Sequence, residues 1–207
     1  MIEEIEKNGV VKEYYESGEL LSECNYVSGK EEGLEKVYYE SGELFTESTY
    51  ISGKIEGIVK QYYESGELEY EPVYVGGELN GLCVGYYENG KIEFEEVHVG
   101  GKANGSSVAY HENGKIWLFD NYIDSKLDGI SKEYYENGSL KLEKTYILGE
   151  LNGPFIEYYE DGRIKKEDNY TNDELDRSLG DKVSGIIKRI LLILMLGGIA
   201  FFSGIFE

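Results

Sequence analysis

Hydrophobic and polar residues alternate along most of this chain in short runs separated by Gly-containing dipeptides. In one such stretch, Leu34–Tyr39 precedes a Ser-Gly dipeptide and Leu44–Ile51 follows it. Alternation of this kind predicts half-buried β-strands. The Ser-Gly, Asn-Gly and Asp-Gly pairs between the runs are typical of hairpin turns, because Asn and Gly tolerate positive φ. The pattern therefore predicts consecutive antiparallel hairpins.

The hairpin pattern has a strict period of 24 residues. A Tyr-Tyr-Glu-Ser-Gly motif at Tyr14–Gly18 begins a series of seven related copies, with no insertion or deletion between them. The turn glycines of the seven copies are Gly18, Gly42, Gly66, Gly90, Gly114, Gly138 and Gly162. A second glycine column opens each unit at Gly9, Gly33, Gly57, Gly81, Gly105, Gly129 and Gly153. A fixed period of this length is typical of a repeat array.

Two strands in each unit predict an all-β fold, namely an open antiparallel β-meander of about seven tandem 24-residue hairpin repeats. The C-terminal segment, described below, adds one transmembrane α-helix to this prediction. We expect about fourteen strands spaced at about 4.8 Å, with stability arising between neighbouring units rather than from a closed core. The domain boundaries follow as a lead-in at 1–8, the repeats at 9–173, a linker at 174–185 and the helix at 186–206.

The register of each hairpin decides which side chains share a face of the sheet. A two-residue loop at the Ser-Gly pair of the second unit would place Tyr39 opposite Leu44. Val37, Tyr39, Leu44 and Tyr50 would then lie on one face, because side chains alternate along a strand. The Gly53–Gly57 segment would lead into the next pair of strands.

Tyrosine is concentrated in three columns of the repeat. The three columns contain 21 positions, and 19 of the 20 tyrosines lie there. The other two positions hold His98 and His111. Each histidine is therefore predicted to replace a structural tyrosine. Because tyrosine is favoured at binding hot spots, one column is a candidate partner-binding face. Its members are Tyr15, Tyr39, Tyr63, Tyr87, Tyr135 and Tyr159.

The charge of the chain restricts the classes of partner. It has 41 acidic against 20 basic residues and a formal net charge of −21. Such a surface repels nucleic acid and anionic membranes, and it attracts a basic protein. A row of turn glutamates forms a candidate acidic edge. The row consists of Glu16, Glu40, Glu64, Glu88, Glu112, Glu136 and Glu160.

The sequence shows no catalytic, cofactor-binding or metal-binding pattern, which predicts a non-enzymatic protein without a cofactor. Cys24 and Cys83 lie five strands apart in the predicted sheet, too far for a disulfide, so both are expected to be free thiols. Neither cysteine has a histidine or lysine placed to activate it in this reading.

The C-terminal segment differs from the repeats in composition. Ile190–Phe206 contains no charged residue over 17 positions, and starting at Ile186 gives 21 residues, long enough for a membrane-spanning helix. Lys182, Lys188 and Arg189 flank it on the N-terminal side, so the positive-inside rule predicts that the array lies in the cytoplasm. The alternatives are a buried core helix and a chain that is truncated within a larger membrane protein.

The repeat resembles a known family. The Tyr-Tyr-Glu-Asn-Gly-Lys-Ile core at Tyr86–Ile92, its relative at Tyr134–Leu140 and the glycine that opens each unit are similar to the MORN-repeat variant family over residues 9–173. The resemblance implies an open β-meander that acts as an interaction module. Bacterial members are commonly described as antitoxin components.

These features predict a non-enzymatic interaction protein that is tethered to the membrane. Its expected partner is a protein, basic or toxin-like, which it would bind as an antitoxin or immunity-type component. The bilayer is contacted through the C-terminal helix, and nucleic acid is not a partner. The alternative is a membrane-associated structural or lipid-binding scaffold. The oligomeric state is left open at this point.

Overall fold

The computed structural model describes residues 7–176 of the 207-residue chain. Every regular element in this range is a β-strand, and paired strands are antiparallel. In chain order the strands are β1 (Gly9–Tyr14), β2 (Leu20–Val27), β3 (Lys30–Glu31), β4 (Gly33–Tyr38), β5 (Leu44–Ile51), β6 (Lys54–Ile55), β7 (Gly57–Ile58), β8 (Lys60–Tyr62), β9 (Leu68–Glu71), β10 (Val73–Val75), β11 (Glu78–Leu79), β12 (Gly81–Tyr86), β13 (Ile92–Val99), β14 (Lys102–Tyr110), β15 (Ile116–Ile123), β16 (Lys126–Leu127), β17 (Gly129–Tyr134), β18 (Leu140–Ile147), β19 (Glu150–Tyr158), β20 (Ile164–Thr171) and β21 (Glu174–Leu175).

The strands form a meander in which each arm pairs with the next along the chain. Short strands that continue one another form a single arm, as β3 and β4 do, so residues 7–176 contain fourteen arms followed by β21. The predicted all-β antiparallel open sheet of tandem hairpin repeats is confirmed. The predicted helix at 186–206 lies outside the described residues, as do Lys182, Lys188 and Arg189.

The meander is interrupted locally at Pro72. Strands β7, β10 and β11 form a separate three-stranded sheet beside the main sheet of 18 strands. Pro72 lies between β9 and β10 and has no N–H to donate to the ladder, which ends the regular pairing there. Its carbonyl still accepts a hydrogen bond from the Val59 N–H at 3.0 Å, so the arms stay in register.

The hairpin turns have three loop residues rather than the predicted two. In the second unit, the Tyr39 N–H donates to the Glu43 carbonyl at 2.8 Å, and the Gly42 N–H donates to the Tyr39 carbonyl at 2.9 Å. Glu40, Ser41 and Gly42 therefore form the loop, with Gly42 in the left-handed region at φ 91°. This is the geometry of a type I turn closed by a glycine bulge.

The longer loop changes the register, and the predicted common face is wrong for one residue. Leu44 pairs with Tyr38 rather than with Tyr39, and a bulge follows before the pairing of Val37. Residues that pair directly point to the same face, so Leu44 shares the face of Tyr38. Tyr50 pairs with Gly33, and Val37 lies four residues after Gly33 on the same strand. Because side chains alternate along a strand, Val37 and Tyr50 both lie on the other face.

The connection between units is the tight two-residue turn. Ile51 pairs with Lys54, and both loop residues have positive φ, 52° at Ser52 and 81° at Gly53. This is a type I′ hairpin, whose twist matches that of the flanking strands. The Gly53–Gly57 segment leads into the next pair of strands through this turn, because Gly53 is its second loop residue and β6 begins at Lys54.

The two faces of the sheet differ in burial. The core face, which carries Val37, Ser48 and Tyr50, also carries five buried side chains. These are Cys24, Ser48, Cys83, Ala103 and Asp120. The open face carries Leu34, Lys36, Tyr38 and Glu47 and contains none of them. The core is thus a thin strip along one face.

Candidate interaction surfaces

The candidate tyrosine column forms hydrogen bonds between successive units. The Tyr39 hydroxyl donates to the Tyr62 carbonyl at 2.8 Å, and the Tyr63 hydroxyl donates to the Tyr86 carbonyl at 2.7 Å. The hydroxyls of Tyr15, Tyr87 and Tyr135 do the same one unit ahead, to the carbonyls of Tyr38, Tyr110 and Tyr158. These rings are half-buried, so their hydroxyl groups already serve the fold. A role in partner binding stays a prediction.

Tyr159 is the last member of this column and differs from the others. It is 47% exposed, and the Arg163 guanidinium lies 5.6 Å from the centre of its ring. Nearly half of its surface is therefore open to solvent, although the guanidinium covers part of one face of the ring. Of the six candidate tyrosines, Tyr159 is therefore the one whose surface is most available for a partner.

His111 occupies the tyrosine position in the fifth unit. Its Nε2 lies 3.2 Å from the Tyr134 carbonyl, the contact that the tyrosine hydroxyls make in the other units. With a proton on Nε2 the imidazole donates this hydrogen bond. The prediction that His111 replaces a structural tyrosine agrees with this geometry.

A second tyrosine column donates in the opposite direction along the array. The hydroxyl of Tyr86 donates to Glu71 at 2.8 Å, and that of Tyr110 donates to Glu95 at 2.8 Å. Tyr38 makes the same bond to Glu23 at 3.2 Å. Sequence reasoning missed these pairs. The signal was a glutamate fifteen residues before each of these tyrosines.

The phenol groups of the array have raised pKa values. Burial, together with the nearby Glu31, raises the pKa of Tyr26 to about 12. Burial, together with Glu35, raises the pKa of Tyr50 to about 12. Hydrogen bonding to Glu95 raises the pKa of Tyr110, and burial adds to the effect. A neighbouring carboxylate and a dry environment both disfavour a second negative charge.

The candidate acidic edge is present as a row of exposed side chains. All seven glutamates lie at the first loop position of a hairpin turn, and all are exposed. In the second half of the row, lysines lie beside the glutamates, so the charge there is mixed. The Lys91 ammonium donates to the Glu112 carbonyl at 2.7 Å, and the Lys115 ammonium donates to the Asn137 carbonyl at 2.8 Å. The most acidic part of the edge is therefore in the first three units. Its role in binding a partner stays a prediction.

Cys83 has a histidine neighbour, which corrects the sequence analysis. Its Sγ lies 3.7 Å from His98 Nδ1, and His98 Nε2 lies 4.0 Å from a Glu96 carboxylate oxygen. The order of groups resembles a nucleophile, a base and an orienting acid. Cys83 is 0% exposed, however, so no substrate can reach the sulfur. Both cysteines are free thiols in the described structure, as predicted.

Two further kinds of feature are absent from the part of the chain that the structure describes. Residues 7–176 contain no group of three or more His, Cys, Asp or Glu side chains arranged to hold a metal ion. Over the same residues, none of the elements is a helix with the length and apolar character needed to cross a membrane.

The open face carries aliphatic side chains that sequence reasoning missed. Two columns contribute eleven of them, between 44% and 67% exposed. They are Val10, Leu34, Ile58, Leu82 and Ile130 in one column and Val27, Ile51, Val75, Val99, Ile123 and Ile147 in the other. We call these residues the aliphatic stripe. The signal was the Val or Ile that follows the third tyrosine column in six of the seven units.

The sequence profile of the MORN repeat variant family matches six segments of the chain. They are residues 7–28, 31–52, 55–74, 79–98, 127–147 and 151–172, together more than half of the chain. The chain belongs to the MORN repeat variant family. MORN repeats are non-enzymatic repeats that bind proteins or lipids. No curated protein matches the chain at a significant level.

The MORN array has one unit that the family profile does not match. The gap falls between residues 98 and 127 and contains β14 and β15. These strands pair as in the other units, with Gly105 opposite Tyr122 and Tyr110 opposite Ile116. Substitutions such as His111 and Trp117 change the sequence of this unit without changing its fold. The structure therefore contains seven units where the profile finds six.

Proposed function

We propose that this MORN array is a non-enzymatic interaction module that is tethered to a membrane and binds a protein partner. The single observation that supports it is the row of exposed glutamates, which a 24-residue repeat presents at regular intervals along one edge. Successive units lie about 10 Å apart, since each contributes two arms. A partner that carries basic residues at a similar spacing would bind several units at once.

The first three units are the proposed centre of this binding edge. Glu16, Glu40 and Glu64 are each followed three residues later by another exposed glutamate, whereas the later units have lysine, serine or arginine there. The net charge of −21 steers a basic partner toward the array. An antitoxin or immunity-type role, in which the partner is a toxin-like protein, is the specific form of this proposal.

Charge reversal at the edge tests the proposal. The double variant Glu40→Lys and Glu64→Lys should abolish co-purification of a stoichiometric partner with the full chain. The matched control is Glu13→Lys with Glu167→Lys, which changes the net charge equally at exposed positions away from the edge. Equal binding by both variants would show that the edge does not contact the partner.

The antitoxin form of the proposal needs a separate experiment. Cells that express a toxin-like protein from the adjacent gene should survive when the full chain is co-expressed, and the edge variant should fail to protect them. If the chain protects no cell but still recovers a partner, the antitoxin role is wrong and the coarser interaction role stands. Recovery of no partner contradicts both.

The membrane tether is a further part of the proposal and rests on Ile190–Phe206, which contains no charged residue. Full-length protein should remain in the membrane pellet after an alkaline carbonate wash. Leu192→Arg with Leu194→Arg should move it to the supernatant, because two charges within a spanning segment are costly. The control Leu192→Ala with Leu194→Ala should stay in the pellet. Wild-type protein in the supernatant would refute the tether.

A lipid-binding scaffold is the second candidate, and the exposed aliphatic stripe favours it. The net charge of −21 opposes binding to anionic lipid. Vesicle sedimentation separates the two functions. A chain lacking residues 183–207 should not sediment with anionic vesicles if the array binds a protein, and it should sediment if the array binds lipid.

A further inference from the structure

The aliphatic stripe is large enough to be an interface. About half of each of its eleven side chains is exposed, which amounts to an area on the order of 900 Å², close to what one partner contributes to a protein–protein interface of ordinary size. Soluble monomers rarely expose contiguous apolar patches of more than a few hundred Å². The stripe therefore calls for an occupant.

The stripe lies off-centre on the open face. Val27 and its equivalents directly precede the type I′ turns, so the stripe occupies the half of each arm nearest those turns. Ion pairs separate it from the other half, as between Lys12 and Glu23 at 3.1 Å. The same separation is seen between Lys36 and Glu47 at 3.4 Å.

This position restricts how two copies could pack face to face. A two-fold axis between the sheets runs either along the array or along the strands. An axis along the array over the middle of the sheets would place the stripe of one copy over the hairpin-turn half of the other. The same axis displaced to lie over the stripe would pair the two stripes with the units in the same order. An axis along the strands keeps stripe against stripe and reverses the order of the units, so that the first unit faces the seventh. Isologous contact between the two stripes with the sheets fully overlapped therefore requires the second arrangement, whereas the displaced first arrangement brings each unit against its own equivalent.

A row of charged residues alternates with the Val27 column along the array and selects the reversed order, because pairing the units in the same order would place like charges together. Each member pairs directly with the residue at the position of Val27 in its unit, as Lys30 does with Val27 and Lys54 with Ile51. Residues that pair directly point to the same face, so all members lie on the open face. All members are exposed. In chain order they are Lys30, Lys54, Glu78, Lys102, Lys126, Glu150 and Glu174. We call these residues the rim row.

The rim row is self-complementary when one copy is reversed. The first unit then faces the seventh, which places Lys30 opposite Glu174 of the second copy. The second unit faces the sixth, and the third faces the fifth, again with opposite charges. Only the central Lys102 faces its own equivalent, and each Lys102 ammonium already lies 3.3 Å from the Asp124 carboxylate of its own copy. Shifting the alignment by one unit brings lysine against lysine.

We propose that the open face binds a second copy of this chain, stripe against stripe, with the two arrays in opposite order and a two-fold axis at the level of Lys102. Apolar burial supplies the affinity, and the rim row selects the register and the relative order. The acidic edge and the core face stay free in this dimer. The dimer is thus independent of the binding edge proposed above.

Charge exchange between copies is the sharpest test. One variant carries Lys30→Glu and Lys54→Glu, and a second carries Glu150→Lys and Glu174→Lys. Each variant alone brings like charges together at both ends of the interface. In a mixed dimer, all four positions meet opposite charges. The full chain in mild detergent at about 0.15 M salt, where charges more than about 8 Å apart are screened, gives a fair comparison.

The expected result has three parts. The wild-type chain of 23.5 kDa sediments at twice its protein mass. Each variant alone dimerises at least about tenfold more weakly, since four exposed ion pairs at a few tenths of a kcal/mol or more become repulsive. An equimolar mixture recovers the wild-type affinity to within about threefold and contains one copy of each variant, as differently labelled chains report by energy transfer.

A control and an apolar variant complete the test. Lys91→Glu with Lys115→Glu changes the net charge as the first variant does, but on the hairpin-turn edge, and should leave the dimer intact. Ile51→Glu with Val75→Glu within the stripe should abolish the dimer, whereas Ile164→Glu, exposed outside the stripe, should not. A monomeric wild-type chain overturns the proposal. So does a dimer that neither the rim row nor the stripe affects, because the C-terminal segment then holds it together.

Discussion

The hydroxyl of Tyr63 shows how a single side chain contributes to this fold. It donates to the Tyr86 carbonyl one unit ahead at 2.7 Å, while the Tyr62 hydroxyl lies 3.4 Å from Glu47 in the preceding hairpin. Neighbouring tyrosines in one motif thus point to opposite faces and link units in opposite directions. The repeated Tyr-Tyr pair is explained by this division of roles, and most of the tyrosine content is structural.

Removal of one inter-unit hydroxyl should be measurable. Tyr63→Phe should lower the free energy of unfolding by about 1 kcal/mol, because the bond to the Tyr86 carbonyl is lost while the ring is kept. The control is Tyr14→Phe, since Tyr14 is 58% exposed and its hydroxyl has no hydrogen-bond partner among residues 7–176. Urea unfolding followed by circular dichroism gives both values. Equal midpoints for the two variants would show that the hydroxyl does not link the units.

One turn residue holds an unfavourable backbone conformation. Leu148 has φ 50° in a type I′ turn where the equivalent residues are Ser, Gly, Asp or Asn. A branched side chain without polar atoms gains nothing there that offsets the strain. Leu148→Asn should raise the free energy of unfolding by about 1 kcal/mol.

The neighbouring strand residue supplies the control for this turn. Ile147→Asn places the same side chain in extended backbone, at a residue that is also about half exposed, and should be neutral or destabilising because Asn is disfavoured in strands. Thermal midpoints are sufficient to compare the two variants. A lower midpoint for Leu148→Asn would argue against strain at this turn.

At the scale of the elements, each unit combines two different turns. In the second unit both turns contain Ser-Gly, yet Ser52 has φ 52° and Ser41 lies outside the positive region. The 24-residue period, the glycine columns and the alternation were enough to predict the hairpins. They were not enough to predict loop length, because Ser-Gly fits both turn types. The misplacement of Leu44 followed from that ambiguity alone.

The aliphatic stripe escaped prediction for a related reason. An exposed Val or Ile has the same strand signal as a buried one, since β-branched residues are favoured in strands in general. Which face is buried depends on register, and a one-residue change moves every side chain to the other face. Cys83 and His98 likewise came together only because their strands pair in the observed register. Periodicity predicts columns, whereas contacts between columns need the structure.

The strand pairs should lose stability in alkali. The folded pKa of Tyr26 and Tyr50 is about 12, against an ordinary value of 10.0. Well below pH 10 both states hold these phenol protons, so the contribution of the two phenols to the free energy of unfolding is constant there. Between pH 10 and 12 the unfolded chain releases its protons first, and the free energy of unfolding falls.

Urea midpoints at pH 8, 10, 11 and 12 test this dependence on pH, and tyrosinate absorbance of the native protein gives the titration itself. Tyr50→Phe should make the fall less steep, because one shifted group is removed. A midpoint that is flat up to pH 12 would mean that the phenols are not buried as described.

At the scale of the whole molecule, stability is a property of neighbouring units. Residues 7–176 have no closed core, and paired neighbouring arms account for the structure. Both proposed interactions of this array use exposed columns rather than a pocket. The two proposals use different columns: the acidic edge for a protein partner and the open face for a second copy.

Deletion of one full unit should leave the rest of the array folded. Removing residues 103–126 joins equivalent positions and should shorten the array by about 10 Å, the width of two arms. Small-angle scattering of the full chain in detergent measures the change. Removing only residues 103–114 should disrupt folding, since it destroys the alternation of the two turns. A shortened array that unfolds as completely as the half-unit deletion would show that units are not interchangeable.

The most direct measurement of the central proposal is recovery of a stoichiometric protein partner with the full-length chain, compared between the edge variant and its charge-matched control. We expect a partner with wild-type protein and with Glu13→Lys plus Glu167→Lys, and none with Glu40→Lys plus Glu64→Lys. A partner that binds all three proteins equally, or no partner with any of them, would contradict it.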